Sequence, residues 1–175
     1  ARLAYTIGLQ PLSKVVTLAI NTPDPHPARP PLRLVFASDF HAGPTTHPVV
    51  LAHAGTLLQE LQPDLLLLGG DFVSFRAEYL RDILPFLGMV KPRFGSYAVL
   101  GNHDYWAEPQ QISAQLQQAG VTLLTNRNLR LPAPYDDLWL CGIDDPQAGT
   151  PDPEASFAGS GPHRIVLMHS PDTMR

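Results

Sequence analysis

The sequence is poor in the features that mark several classes of protein. It has a single cysteine, Cys141, in 175 residues, which excludes an internal disulfide framework and any cysteine-rich zinc or iron–sulfur site. Only 16% of the residues are charged and the formal net charge is −4. The chain therefore lacks the basic excess of a general nucleic-acid binder, and no nucleic-acid partner is expected. Arg2, Lys14, Arg29 and Arg33 are too sparse to form a basic membrane-surface face. No apolar run approaches the ~20 residues of a membrane-spanning helix. The chain begins with Ala1 rather than Met, which leaves room for an upstream signal or anchor. Membrane association would then come from a segment outside this chain.

What the chain does have is apolar residues, 44% of the total, and 19 prolines against 13 glycines. Its length predicts one domain over 1–175 with a sizeable core. The lead segment 1–20 ends in a β-branched run at 15–20 that predicts a strand. Residues 21–31 hold Pro23, Pro25, Pro27, Pro30 and Pro31, which predicts an extended connector. Residues 32–120 then alternate strands at 32–37, 64–68 and 96–100 with helices at about 48–61, 77–90 and 109–119. This β-α-β-α-β-α half predicts a parallel sheet with helices on both faces. From 121 to 175 the texture changes to short strands with no long helix between them, the start of a second sheet, and 144–162 reads as a loop.

Polar motifs follow the carboxyl ends of these strands, where α/β sheets place their sites. Asp39 and His41 are two apart, so on an extended backbone a carboxylate and an imidazole point the same way. Asp71 follows Gly69 and Gly70 at a sharp turn. In Gly101-Asn102-His103-Asp104, Asn102 offers a neutral amide oxygen, His103 a general acid, and Asp104 a carboxylate able to hold that ring. His169 follows the apolar run 165–168. Taken alone, Asp39-x-His41, Gly70-Asp71 and His169 read better as a cap, a turn and a structural histidine, while Gly101-Asn102-His103-Asp104 is the more specific signal, with a Gly-Asn turn as its ordinary reading. Their shared position at the strand ends makes convergence on one site the better reading. Phe72, Phe75, Tyr105 and Trp106 follow these motifs; core packing is their expected role, with an apolar wall for a lipid or nucleoside as the alternative.

Together, Asp39-x-His41, Gly70-Asp71, Gly101-Asn102-His103-Asp104 and His169 resemble, in order and interval, the motif series of the calcineurin-like metallophosphoesterase family. The resemblance implies an α/β fold built as a four-layer α-β-β-α sandwich. It implies two divalent metal ions, Mn first and Zn or Fe as alternatives. Asp39 and His41 would bind the first, Asp71 would bridge, and Asn102 and His169 would bind the second. His103 would be catalytic, stabilising phosphoryl oxygens or protonating the leaving alkoxide, with Asp104 as its orienting partner. The reaction implied is hydrolysis of a phosphate mono- or diester by attack of a metal-bridging hydroxide. The alternative is a non-catalytic scaffold of the same fold that binds a partner protein. The lead segment, the proline connector, Gly-Asn-His-Asp-Tyr and His-Ser-Pro-Asp resemble a bacterial, often membrane-associated branch. Some of its members cleave phospholipid or UDP-sugar-lipid phosphates, which suggests a lipid- or nucleotide-linked substrate. The family's further Gly-His-x-His motif does not occur within these 175 residues, so a C-terminally incomplete domain is expected.

Overall fold

The computed structural model describes residues 12–20 and 29–174. Four parallel strands form the first sheet in the order β1 (Leu34–Ala37), β2 (Leu65–Leu68), β3 (Ser96–Ala98) and β4 (Val121–Leu123). The crossovers carry α1 (Pro48–Glu60), a 3₁₀ turn (Ala77–Asp82) leading into α2 (Leu84–Met89), and α3 (Asn102–Trp106) followed by α4 (Pro109–Gln118). A second sheet has the order β5 (Arg127–Arg130), β6 (Leu138–Gly142) and β7 (His163–Leu167), with β5 antiparallel and β7 parallel to β6. A short helix α5 (Pro153–Phe157) lies within the expected 144–162 loop and packs on β5 and β6.

Strand β2 shows how the layers assemble. Its four leucines are all buried, as a strand covered on both faces requires. Leu66 and Leu68 join one core with Leu51 and Leu58 of α1, Leu87 of α2 and Ile112 and Leu116 of α4. Leu65 and Leu67 join a second core with Leu140 and Leu167 of the other sheet. The residue pattern alone predicted helices on both faces of the first sheet; instead the helices cover one face and the second sheet covers the other. The reason is topological. Strands β1 to β4 advance in one direction, and crossovers of a single hand then place every helix on the same side. The face left open is closed by sheet-on-sheet packing, which is the sandwich the resemblance implies.

Two local expectations need correction. Residues 15–20 run as irregular chain, not as a strand, and Val16, Leu18 and Ile20 are exposed. β propensity expresses itself only when a neighbouring strand supplies partners, and among the described residues none does. The rest of the lead segment, 1–11, and most of the connector, 21–28, lie outside the described residues. The single helix expected at 77–90 is broken after Asp82, because Pro85 has no N–H to continue the ladder. Strand β1 is an edge, and its Phe36 remains 55% exposed.

Candidate metal centre

The loops that leave β1 and β2 are laced together by backbone hydrogen bonds. Asp39 N donates to Gly70 O at 3.0 Å, His41 N to Asp71 O at 3.0 Å and Ala42 N to Phe72 O at 2.9 Å. This ladder holds Asp39, His41 and Asp71 in the left-handed region, at φ of 59°, 44° and 55°. Such a conformation costs a non-glycine residue roughly 1–2 kcal/mol and persists only where the surroundings impose it. Asp71 is brought against the next strand end by two glycines. A Cβ at Gly70 would stand 2.4 Å from Gly101 N, and one at Gly101 would stand 2.2 Å from Asp71 Oδ1. Only bare backbone permits that approach.

The side chains converge on Asp71. Its Oδ2 lies 3.4 Å from His41 Nε2 and 3.6 Å from His169 Nε2, and its Oδ1 accepts the His103 N–H at 3.0 Å. Asp39 Oδ1 is 3.6 Å from His41 Nε2, and Asn102 Oδ1 is 3.2 Å from His169 Nε2. The structure thus gathers Asp39, His41, Asn102 and His169 around the Asp71 carboxylate, and one ligand atom each from Asp39, Asp71 and His169 lie within 4.8 Å of one another. His103 joins the cluster, since one ligand atom each from His41, Asp71 and His103 also lie within 4.8 Å of one another. Carboxylate and imidazole donor atoms crowded at 3.4–3.6 Å have the separations expected around a cation whose bonds to nitrogen and oxygen are about 2.0–2.2 Å. The residues fit divalent metal ions.

Backbone carbonyls fix the two rings that matter most. His169 Nδ1 faces Gly69 O at 2.8 Å, and His103 Nδ1 faces Ser74 O at 3.0 Å. Each donates from Nδ1, so each Nε2 is left to act on the cluster, the usual outer-shell device that orients a metal-site imidazole. Ser74 is also bound through its Oγ to His41 O at 2.9 Å. Sequence reasoning missed Ser74 because its contribution to His103 is a main-chain oxygen, which no residue type announces.

The expected pairing of Asp104 with the His103 ring is not what the chain forms. Asp104 is fully buried, and its Oδ1 accepts Phe72 N at 2.9 Å and Val73 N at 3.3 Å while Oδ2 accepts Gly101 N at 3.0 Å. The carboxylate sits third in helix α3 and reaches back to the N–H before the helix, half of a capping box. It clamps the Asp71 loop to the start of α3. Burial, the main cause, pushes its pKa up to about 6, with the nearby Asp71 charge adding to the rise and the three N–H donors opposing it. At the outer edge, the neighbouring His41 imidazole holds the Asp39 carboxyl below its ordinary value, and the Asp39 carboxylate in turn raises His41 above its own.

The aromatic residues divide. Phe72 is buried in the core. Tyr105 donates its hydroxyl to Asp144 Oδ1 at 2.5 Å, tying α3 to the loop after β6. Phe75 and Trp106, expected in the core, are exposed. His47 caps α1 by accepting Val49 N at 3.3 Å.

Comparison with known proteins agrees with this geometry. Residues 32–173 match the family model described as calcineurin-like phosphoesterase. Among similar proteins is a Bos taurus "transmembrane protein with metallophosphoesterase domain", 32% identical over 161 residues, covering 83% of this chain and 36% of the relative. The Bacillus subtilis "uncharacterized metallophosphoesterase YkoQ" is 30% identical over 166 residues, covering 91% and 60%. The Escherichia coli "phosphodiesterase YaeI" is 32% identical over 150 residues, covering 82% and 54%. The chain spans about a third to three fifths of the length of these relatives. Since the match runs from the first strand to the turn beyond His169, the chain belongs to the calcineurin-like phosphoesterase family.

Proposed function

We propose that this domain hydrolyses phosphate esters at a pair of divalent cations shared through Asp71. One observation carries the reading: a single buried carboxylate oxygen stands 3.4 Å from His41 Nε2 and 3.6 Å from His169 Nε2, between two ligand sets. Asp39, His41 and Asp71 would hold one cation, and Asp71, Asn102 and His169 would hold the other. Bound there, the cations supply a water of lowered pKa and Lewis-acid stabilisation of the phosphoryl charge. The mixture of carboxylate, amide and imidazole suits Mn first, with Zn or Fe as alternatives.

The chain's own residues do the rest. His103, held through Nδ1 by Ser74 O, presents Nε2 to the reacting centre, where it stabilises a phosphoryl oxygen or gives a proton to the departing alkoxide. Asp104 is a positioning residue: it keeps the Asp71 loop and the first turn of α3 in register through three backbone hydrogen bonds. The name of the Escherichia coli relative supports diesters among the substrates. Two vertebrate relatives are named as transmembrane proteins. No helix among the described residues is long and apolar enough to cross a membrane.

The test is turnover of bis(p-nitrophenyl) phosphate and p-nitrophenyl phosphate by the full-length protein with Mn²⁺. Activity is expected, lost on chelation and restored by the cation. His103→Ala should lower turnover by roughly 10²–10⁴-fold, the usual contribution of a general acid, while elemental analysis shows unchanged cation content. Loss of cations in that variant would make His103 a ligand instead. Hydrolysis of neither ester with any of Mn, Zn or Fe would remove the reading.

A further inference from the structure

We propose that Trp106 and Phe75 form an apolar lip that receives the alcohol portion of the substrate, so that the site selects phosphate esters of apolar alcohols. The inference rests on the phosphoesterase reading above and adds the substrate class to it. Trp106 is 65% exposed and Phe75 58% exposed. Single exposed apolar side chains are ordinary, but the segments that carry these two meet at His103. The Trp106 ring lies 5.1 Å from the His103 ring, tilted at 56°. Phe75 directly follows Ser74, whose carbonyl holds His103 Nδ1. The segments carrying them are joined by a hydrogen bond from Ala77 N to Glu108 Oε2 at 2.7 Å.

The lip stands on firm supports. Within α3, Asp104 is locked to three backbone N–H groups and Tyr105 to Asp144, which fixes the short helix that ends in Trp106. A surface held in place before binding loses little freedom when a ligand arrives. Direction follows from His103. On one side its imidazole meets the His41 ring, with centroids 4.7 Å apart, and it also meets Trp106. A leaving oxygen that takes a proton from His103 departs next to the indole of Trp106. Aryl and long alkyl alcohols share the chemistry the lip recognises, a contiguous apolar surface next to the ester oxygen.

Calorimetric titration of the full-length, Mn²⁺-loaded protein with methylphosphonate, phenylphosphonate and octylphosphonate tests this without turnover. At least one of the two larger ligands should bind about tenfold more tightly than methylphosphonate, because burying several carbons is worth at least that much. A gain confined to phenylphosphonate identifies an aromatic alcohol; a larger gain with octylphosphonate identifies an alkyl chain. Trp106→Ala and Phe75→Ala should each shrink the preference by about three- to tenfold and leave methylphosphonate affinity unchanged, and Trp106→Phe should keep most of the preference. Equal affinity for all three ligands in the unaltered protein would overturn the proposal. So would a Trp106→Ala effect equal on methyl and phenyl ligands, which would mean the indole only supports His103. If none of the three binds while cations are present, the phosphoesterase reading itself fails and the lip falls with it.

Discussion

Asp39 and His41 stand on the open side of the cluster, and Asn102 and His169 on its sheltered side. The side chains of Asp39 and His41 are 55% and 31% exposed, whereas that of His169 is 11% exposed. The sheltered side is backed by the carbonyl of Gly69, while the outer oxygen of Asp39 is met by the hydroxyl of Ser38. One loop from the first sheet builds the open side. The sheltered side joins a residue of the first sheet's third crossover to one just beyond the end of β7 in the second. The two proposed ligand sets are therefore not equivalent: water reaches one more readily, and a cation there should exchange more easily.

Removing the shared group should have the largest effect, because it does not respect that difference. Asp71→Asn takes a charged oxygen from both sets and should cut hydrolysis by at least about a thousandfold, in line with the several kcal/mol that cations contribute to such reactions. Elemental analysis should show both cations depleted. Retention of one cation at full occupancy would show that Asp71 serves a single set.

Asp39→Asn should discriminate between the sides. The open-side cation should be weakened by at least the ~10–100-fold that follows even the loss of an outer partner, and a graded chelator titration should strip it first. The titration should also depend on pH. With no cation, the partner Asp39 raises the pKa of His41, so binding on this side must expel that proton. Affinity should fall as pH is lowered through the raised value. Loss of both cations in one step, at any pH, would erase the distinction between the two sides.

The smallest effect is expected at Asp104, which touches neither set directly. Asp104→Asn puts an NH₂ where one of two acceptor oxygens now serves buried N–H groups. Chemical denaturation should show a loss of about 1–3 kcal/mol, the usual cost of stranding a buried polar group, with cation content largely kept. An Asp104→Asn protein of unchanged stability would show that the clamp is dispensable.

What could be read in the sequence was what side-chain chemistry marks. Asp39, His41, Asp71, Asn102 and His169 announce themselves as ligand types at strand ends, and the leucines of β2 declare a strand buried on both faces. What could not be read was what depends on the main chain or on neighbours. Ser74 acts on His103 through a carbonyl common to every residue. Asp104 sits next to His103 in the chain, yet helix geometry turns its carboxylate towards Phe72, Val73 and Gly101. The run at 15–20 carries strand-forming residues, but pairing belongs to the partner as much as to the strand. Trp106 and Phe75 are composed like core residues, and only the folded chain shows both exposed, with Trp106 beside His103.

The contact of Gly70 with Gly101 has a consequence for anyone who would retune this centre. The width of the seat between the two ligand sets is gauged by naked main chain, not by the donors. Even an alanine methyl at either glycine would act as a shim, prising Asp71 away from the His103 amide nitrogen that seats it while leaving every donor chemically intact. Fitting a larger ion is thus a matter of spacing, and the place to adjust it is the pair of residues that carry no side chain at all.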